Sequence, residues 1–161
     1  MRILVISDTH RNNEPVLRVL DEVGMPDMVV HCGDIMGSEY FFERVFDCPI
    51  VMVTGNNDFL GSLKANEEFD LCGHHFWVNH GHKYGVYYDR KDLMKAAHDR
   101  GADVVFYGHT HVPLIEYDDE LKVYAINPGS VGYPRQDNHK PSYLIVEIDQ
   151  NNELHFSINF L

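Results

Sequence analysis

The chain has 161 residues, 44% hydrophobic and 24% charged. That is the composition of an ordinary globular domain, long enough to build a core without disulfide staples. Thirteen Lys and Arg against 25 Asp and Glu leave a net charge of −12, which repels nucleic acid backbones and anionic membranes unless something local reverses the sign.

No apolar run approaches the ~20 residues of a membrane span. Met1 to Ile6 runs straight into Ser7-Asp8-Thr9-His10, so this segment is expected to be a strand of the folded domain rather than a targeting signal. The apolar run Ile3–Ile6 predicts a buried strand. Glu14–Val23 predicts a helix, with Val16, Leu17, Val19, Leu20 and Val23 at helical spacing. Asp27–His31 is a second buried strand, Ser38–Phe46 a helix with Ser38 as its N-cap, and Ile50–Val53 a third buried strand. Strands alternating with helices imply a parallel sheet with right-handed crossovers. Further on, Glu68–Leu71 and His75–His80 flank Gly73 as a hairpin, and Asp89–Arg100 reads as a helix capped by Asp89 and stopped by Gly101. Asp103–Tyr107 is another buried strand. Leu114–Tyr117 with Lys122–Ile126, and Tyr143–Asp149 with Glu153–Phe160, read as two hairpins. There is no repeat or linker, so residues 1–161 are expected to form one α/β domain: a four-layer α-β-β-α sandwich of two mixed sheets flanked by helices. Cys32, Cys48 and Cys72 are odd in number and form no CxxC, which fits reduced thiols in the cytoplasm.

The chain also carries 11 His, and a pool of Asp and His raises the question of metal binding. The polar clusters follow the apolar strands: Asp8 and His10, then Gly33-Asp34, then Gly55-Asn56-Asn57-Asp58, then His80-Gly81-His82, then Gly108-His109-Thr110-His111. Carboxyl ends of parallel strands form one rim, where ligands bind. Asp8 and His10 are two apart, so in extended chain they project to one side, and His109 and His111 repeat that spacing. The glycines allow the backbone to approach the centre. Mixed carboxylate, imidazole and amide donors suit Mn, Fe, Zn, Co or Ni better than Ca. Seven donors are too many for one tetrahedral ion and suit two ions sharing a carboxylate.

The order and spacing of these five blocks, from Ile3 to about Arg135, resemble the calcineurin-like metallophosphoesterases, in particular the small single-domain bacterial and archaeal phosphodiesterases. The resemblance implies two divalent ions, manganese foremost. It puts one ion on Asp8, His10 and His111, the other on Asn56, His80 and His109, with Asp34 bridging. It further implies that a water or hydroxide between the ions attacks a phosphate ester. Asp34 and Asn56 are then catalytic as well as ligating, and the pocket is cationic within an acidic chain. Asp58 is expected to orient a ligand or its loop. His82 is open between packing and a catalytic role as substrate contact or proton donor. Arg11, Asn57, Ser130 and Arg135 are candidates for substrate contact. Arg11 could equally pair with an acidic neighbour, Arg135 could equally lie on the solvated rim, and the Asn127-Pro128-Gly129-Ser130 loop could be a plain turn.

Two positions depart from the family's pattern. Asn57 stands where larger relatives have the His that protonates the leaving group, which predicts dependence on good leaving groups or on another donor, His82 first. Arg11 stands where Gly commonly follows. The expected partner is a small phosphate ester, with neither duplex nucleic acid nor membrane, and a homo-oligomer is possible. Two other readings stay open: a non-catalytic protein-binding scaffold of the same fold, as in the retromer subunit, and a nucleotide phosphatase or nuclease.

Overall fold

In the computed structural model, which describes residues 1–59 and 61–161, the elements follow in the order β1 (Arg2–Ile6), α1 (Glu14–Val23), β2 (Met28–His31), α2 (Glu39–Val45), β3 (Ile50–Met52), β4 (Asn66–Leu71), β5 (His74–Asn79), α3 (Lys91–His98), β6 (Val104–Phe106), β7 (Pro113–Asp118), β8 (Val123–Pro128), β9 (Ser142–Ile148) and β10 (Leu154–Phe160). They build two five-stranded sheets, ordered β10-β9-β1-β2-β3 and β4-β5-β6-β8-β7. Each sheet has three adjacent parallel strands, β1-β2-β3 and β5-β6-β8. Antiparallel strands extend each sheet at its margins.

Alternation along the strands explains the layers. Ile3 and Val5 join Met28 and Val30 against Phe76, Val78, Val104, Phe106 and Ile126 of the other sheet. Leu4, Ile6 and Val29 point the other way, onto Val16 and Val19 of α1 and Phe42 of α2. Trp77, Val105, Tyr107 and Ala125 receive Leu93, Met94 and Ala97 of α3. Strands covered on both faces have no polar side, so they read as unbroken apolar runs. The result is the four-layer α-β-β-α sandwich.

Local details differ from expectation. Leu17 lies off the buried stripe of α1 and is 43% exposed, because residue 17 sits about 100° round the helix from residue 16. Ser38 makes no side-chain cap bond to α2; its carbonyl instead accepts from the Phe41 N–H. The helix expected from Asp89 begins at Lys91, with Arg90 at the N-cap position. Asp89 still contributes, since its carboxylate accepts from the Lys91 N–H at 3.0 Å. β3 is half-buried rather than buried, because it is an edge strand.

All three cysteines are free thiols. Cys32 is buried at the end of β2, where burial and then Asp8 push its thiol pKa up. Cys48 is half-buried and also raised, by burial first and then Asp47 and Asp27. Cys72 is exposed, in the β4–β5 turn at the amino end of β5, opposite the rim where β5 delivers His80. Among the described residues no helix is long and apolar enough to cross a membrane.

Candidate metal centre

The carboxyl ends of β1, β2, β3, β5, β6 and β8 meet at one rim. Bonds between the sheets join it: the His80 imidazole Nδ1 lies 2.7 Å from the Cys32 carbonyl, and the His109 N–H donates to Asp8 Oδ2 at 3.0 Å. The loops are not extended there. Asp8, His10, Asp34, His109 and His111 all have positive φ, between 46° and 70°, where an L-residue costs about 1–3 kcal/mol. The spacing of two therefore does not place Asp8 beside His10 by strand alternation. Cross-strand bonds hold the turn instead, from Asp8 N–H to the Gly33 carbonyl (3.0 Å) and from His10 N–H to the Asp34 carbonyl (2.9 Å). Two glycines permit this closeness. A Cβ on Gly55 would collide with Asp34, and one on Gly108 would collide with Ser7 and Asp8.

The donor atoms converge. Asp8, His10, Asp34 and His111 each offer one atom within 4.8 Å of the others. His10 Nε2 and His111 Nε2 stand 3.3 Å apart. Asp34 Oδ2 lies between two imidazoles, 3.6 Å from His10 Nε2 and 3.4 Å from His80 Nε2. Asn56 Oδ1 is 3.1 Å from His80 Nε2, and the His109 ring centre is 5.2 Å from that of His80. Ring orientation is set from outside. His80 Nδ1 donates to the Cys32 carbonyl and His111 Nδ1 to the Tyr133 carbonyl, leaving both Nε2 lone pairs turned inward.

One atom tests whether a cation fits. Asp8 Oδ1 is buried with no hydrogen-bond partner, while His111 Nε2 lies 3.1 Å away, His10 Nε2 3.8 Å and His80 Nε2 3.9 Å. A buried carboxylate oxygen without a donor is costly unless a positive charge sits beside it. Burial raises the Asp8 pKa, but the imidazoles of His10, His111 and His80 outweigh it and hold the carboxyl well below the usual range. Burial opposes Asp34 likewise, and His80 and Asn57 bring it down to about 2. His109 is held near 4, by burial first and then His80. His80 itself is raised, because Asp34 and Asp8 overcome its burial. Anionic carboxylates and a neutral imidazole are the forms that bind divalent metals.

The supporting groups are more specific than the sequence suggested. Asp58 accepts three backbone N–H groups, from Asp34 (2.8 Å), Gly55 (2.7 Å) and Met36 (2.6 Å), tying the loops after β2 and β3 together. His31 accepts from the Gly33 N–H, stands 3.1 Å from Thr9 Oγ1, and is pushed down to about 4 by burial. Asn57 donates to both oxygens of Asp34, through its backbone and its amide. Asn127 clamps the β6 loop through the Gly108 carbonyl and Thr110.

The expected substrate contacts divide. Ser130 is fully buried; its hydroxyl donates to the Asp8 carbonyl and accepts from the Tyr133 N–H. These bonds tie the loop after β8 to the loop after β1 at the rim. Arg11 spends its Nε–H on the Met36 carbonyl rather than on an acidic neighbour. It lines a cavity of about 540 Å³ with Asn57, Asp58, Glu39 and Glu43. Arg135 lines a second, more open cavity of about 640 Å³, walled by His10 and His111. His82 is half-buried, its ring centre 5.5 Å from that of His80, with Nδ1 unbonded. Its pKa is lowered, by burial first and then by His80 and Lys83. Sequence reasoning missed Met36, whose sulfur lies 3.3 Å from His10 Nδ1, and Tyr133, whose ring stands edge-on to His10. Neither residue type is a usual donor for the hard and borderline divalent ions that Asp and His favour, so nothing in the sequence pointed to them.

A family model for the calcineurin-like phosphoesterase superfamily domain matches residues 1–151. The chain belongs to the calcineurin-like phosphoesterase superfamily. This metallophosphoesterase is 33% identical over 153 residues to a probable metallophosphoesterase of Mycoplasma pneumoniae, covering 92% of this chain and 91% of that one. It is 29% identical over 149 residues to a phosphodiesterase of Methanocaldococcus jannaschii, covering 80% and 83%. The structure of a predicted phosphoesterase from Streptococcus pneumoniae superposes with a TM-score of 0.78 at 27% identity, covering 99% of this chain and 97% of that one. Vps29 of Entamoeba histolytica, solved in complex with zinc, has a TM-score of 0.76 at 23% identity and 99% coverage of each, a likeness of fold.

Proposed function

We propose that this metallophosphoesterase hydrolyses small phosphodiesters with two divalent cations, manganese foremost, in the cytoplasm. The observation that carries the reading is the Asp34 carboxylate oxygen set between His10 and His80 beside the unpartnered Asp8 Oδ1. Asp8, His10 and His111 would hold one ion, Asn56, His80 and His109 the other, and Asp34 both. Cations so held supply a water acidified toward neutral pH and neutralise charge on the phosphoryl oxygens. Asn56 would ligate without adding negative charge, which would keep the centre cationic. Asn57 orients Asp34 through two hydrogen bonds and leaves leaving-group protonation to another residue. We assign that step to His82, the neighbouring imidazole not needed as a ligand.

The likeness to a phosphodiesterase at 29% identity supports the diester class, and the net charge of −12 speaks against long nucleic acid tracks. A scaffold role, which the fold would also serve, leaves the complete donor set without a purpose. The test is turnover of bis(p-nitrophenyl) phosphate by chelated and by manganese-reconstituted protein. Metal-dependent hydrolysis that Asp34→Ala abolishes, with loss of one or both ions by elemental analysis, is expected. Absence of metal-dependent turnover would overturn the reading in favour of the scaffold.

A further inference from the structure

The two cavities flanking the metal centre differ in charge. The first places Glu39, Glu43 and Asp58 around Arg11. The second is lined by His10, His111, Met36, Gly132, Tyr133, Pro134, Arg135 and His139, and includes no carboxylate. It is an open depression of about 640 Å³, with room for a small anionic group. Since His10 and His111 form one wall, a group bound there would be continuous with one bound at the metals.

Arg135 is the charge of that cavity. Arg90 pairs with Glu116 and Arg100 with Glu68; among the described residues neither Arg11 nor Arg135 is bonded to a carboxylate, but only Arg11 shares its cavity with carboxylates. Its Nη1 donates to the Tyr87 hydroxyl at 2.7 Å, and that hydroxyl donates to the His109 carbonyl at 3.0 Å. Its backbone N–H donates to the His111 carbonyl at 3.2 Å. The backbone of exposed Arg135 is thus held to the β6 loop, and the single bond of its guanidinium, to Tyr87, leaves most of its five N–H donors free. The loop that carries it is closed on itself, with the Gln136 amide donating to Asn138 and to the Lys140 carbonyl. In a chain of charge −12, a guanidinium tethered to the β6 loop, with no carboxylate partner among the described residues and beside the His10–His111 wall, is a recognition element for an anion.

We propose that this second cavity takes a second oxyanion group carried on one ester arm of the substrate, with Arg135 as the specificity-determining residue. The preferred substrate is then a phosphodiester bearing a carboxylate or a further phosphoryl group, not a simple dialkyl or diaryl ester. The proposal rests on the phosphoesterase reading for the position of the reacting phosphate. The first cavity, with three carboxylates, would repel the same group.

Titration calorimetry on the manganese-loaded protein tests it with three non-hydrolysable probes: propylphosphonate, 2-carboxyethylphosphonate and ethylene-1,2-bisphosphonate. At least one of the two probes with a second anionic group should bind about three- to fivefold more tightly than propylphosphonate, the size expected of an exposed charge pair. The better of the two identifies the arm as carboxylate or phosphoryl. Arg135→Gln should erase the ratio, Arg11→Gln should keep it, and added salt should shrink it. Equal binding of all three probes, or a ratio that survives Arg135→Gln, overturns the proposal. Arg135-dependent binding of 2-carboxyethylphosphonate by a protein that turns over no ester sustains the anion site and overturns the phosphoesterase reading alone.

Discussion

At the scale of single residues, the centre depends on side chains whose surroundings leave them one use. Asp8 Oδ1 has no donor, and His80 and His111 have each committed Nδ1 elsewhere. His82 is different, because its Nδ1 is unbonded and no bond ties it to a ligand position. If it protonates the departing alkoxide, His82→Ala should cost about 10²–10³-fold in kcat on an alkyl ester and far less on a p-nitrophenyl ester. Steady-state kinetics on the two esters check this, and an equal loss on both would assign His82 to packing. Gly108 makes a second residue-scale case. A Cβ there would meet Ser7 and Asp8, so Gly108→Ala should weaken metal binding and lower the melting temperature together.

At the scale of elements, the site is a junction of loops, and Asp58 joins two of them. Its carboxylate collects N–H groups from Asp34, Met36 and Gly55, so it fixes the backbone that presents Asp34 and Asn56. Asp58→Ala should cost about 2 kcal/mol of stability, since water can reach the freed N–H groups of half-buried Met36 and Gly55 but the N–H of buried Asp34 is left unpaired. Manganese affinity should fall about 10–100-fold, with denaturant melts and calorimetry as the measurements. Much at this scale was legible in the sequence. The apolar runs of β1 and β2, the 3.6-residue stripe of α1 and the loop position of every polar block follow from local periodicity. What escaped were features made by distant partners. The left-handed turns at Asp8, His10, His109 and His111 arise from bonds to other strands, so spacing alone suggested extended chain. The bond from the Ser130 hydroxyl to the Asp8 carbonyl spans 122 residues, so no local pattern announces it.

At the scale of the whole molecule, the candidate ligands come from both sheets: Asp8, His10, Asp34 and Asn56 from one, His80, His109 and His111 from the other. Cations held among them would bind the native arrangement and not the unfolded chain, which cannot assemble donors from both sheets. Manganese at about 100 times its dissociation constant should therefore stabilise the fold by about 2.7 kcal/mol and raise the melting temperature by about 5–10 °C. Differential scanning calorimetry with and without chelator measures this, and Asp8→Asn should reduce the rise. The same layout bears on handling the protein. Cys72 is the one exposed thiol among the described residues, while Cys32 is buried and Cys48 half-covered, both with raised pKa values. A maleimide-coated sensor or resin will capture the molecule chiefly through that hairpin tip, at the pole away from the rim. Every captured copy then faces the bulk liquid with its donor cluster outward, a uniform orientation obtained without engineering a tag.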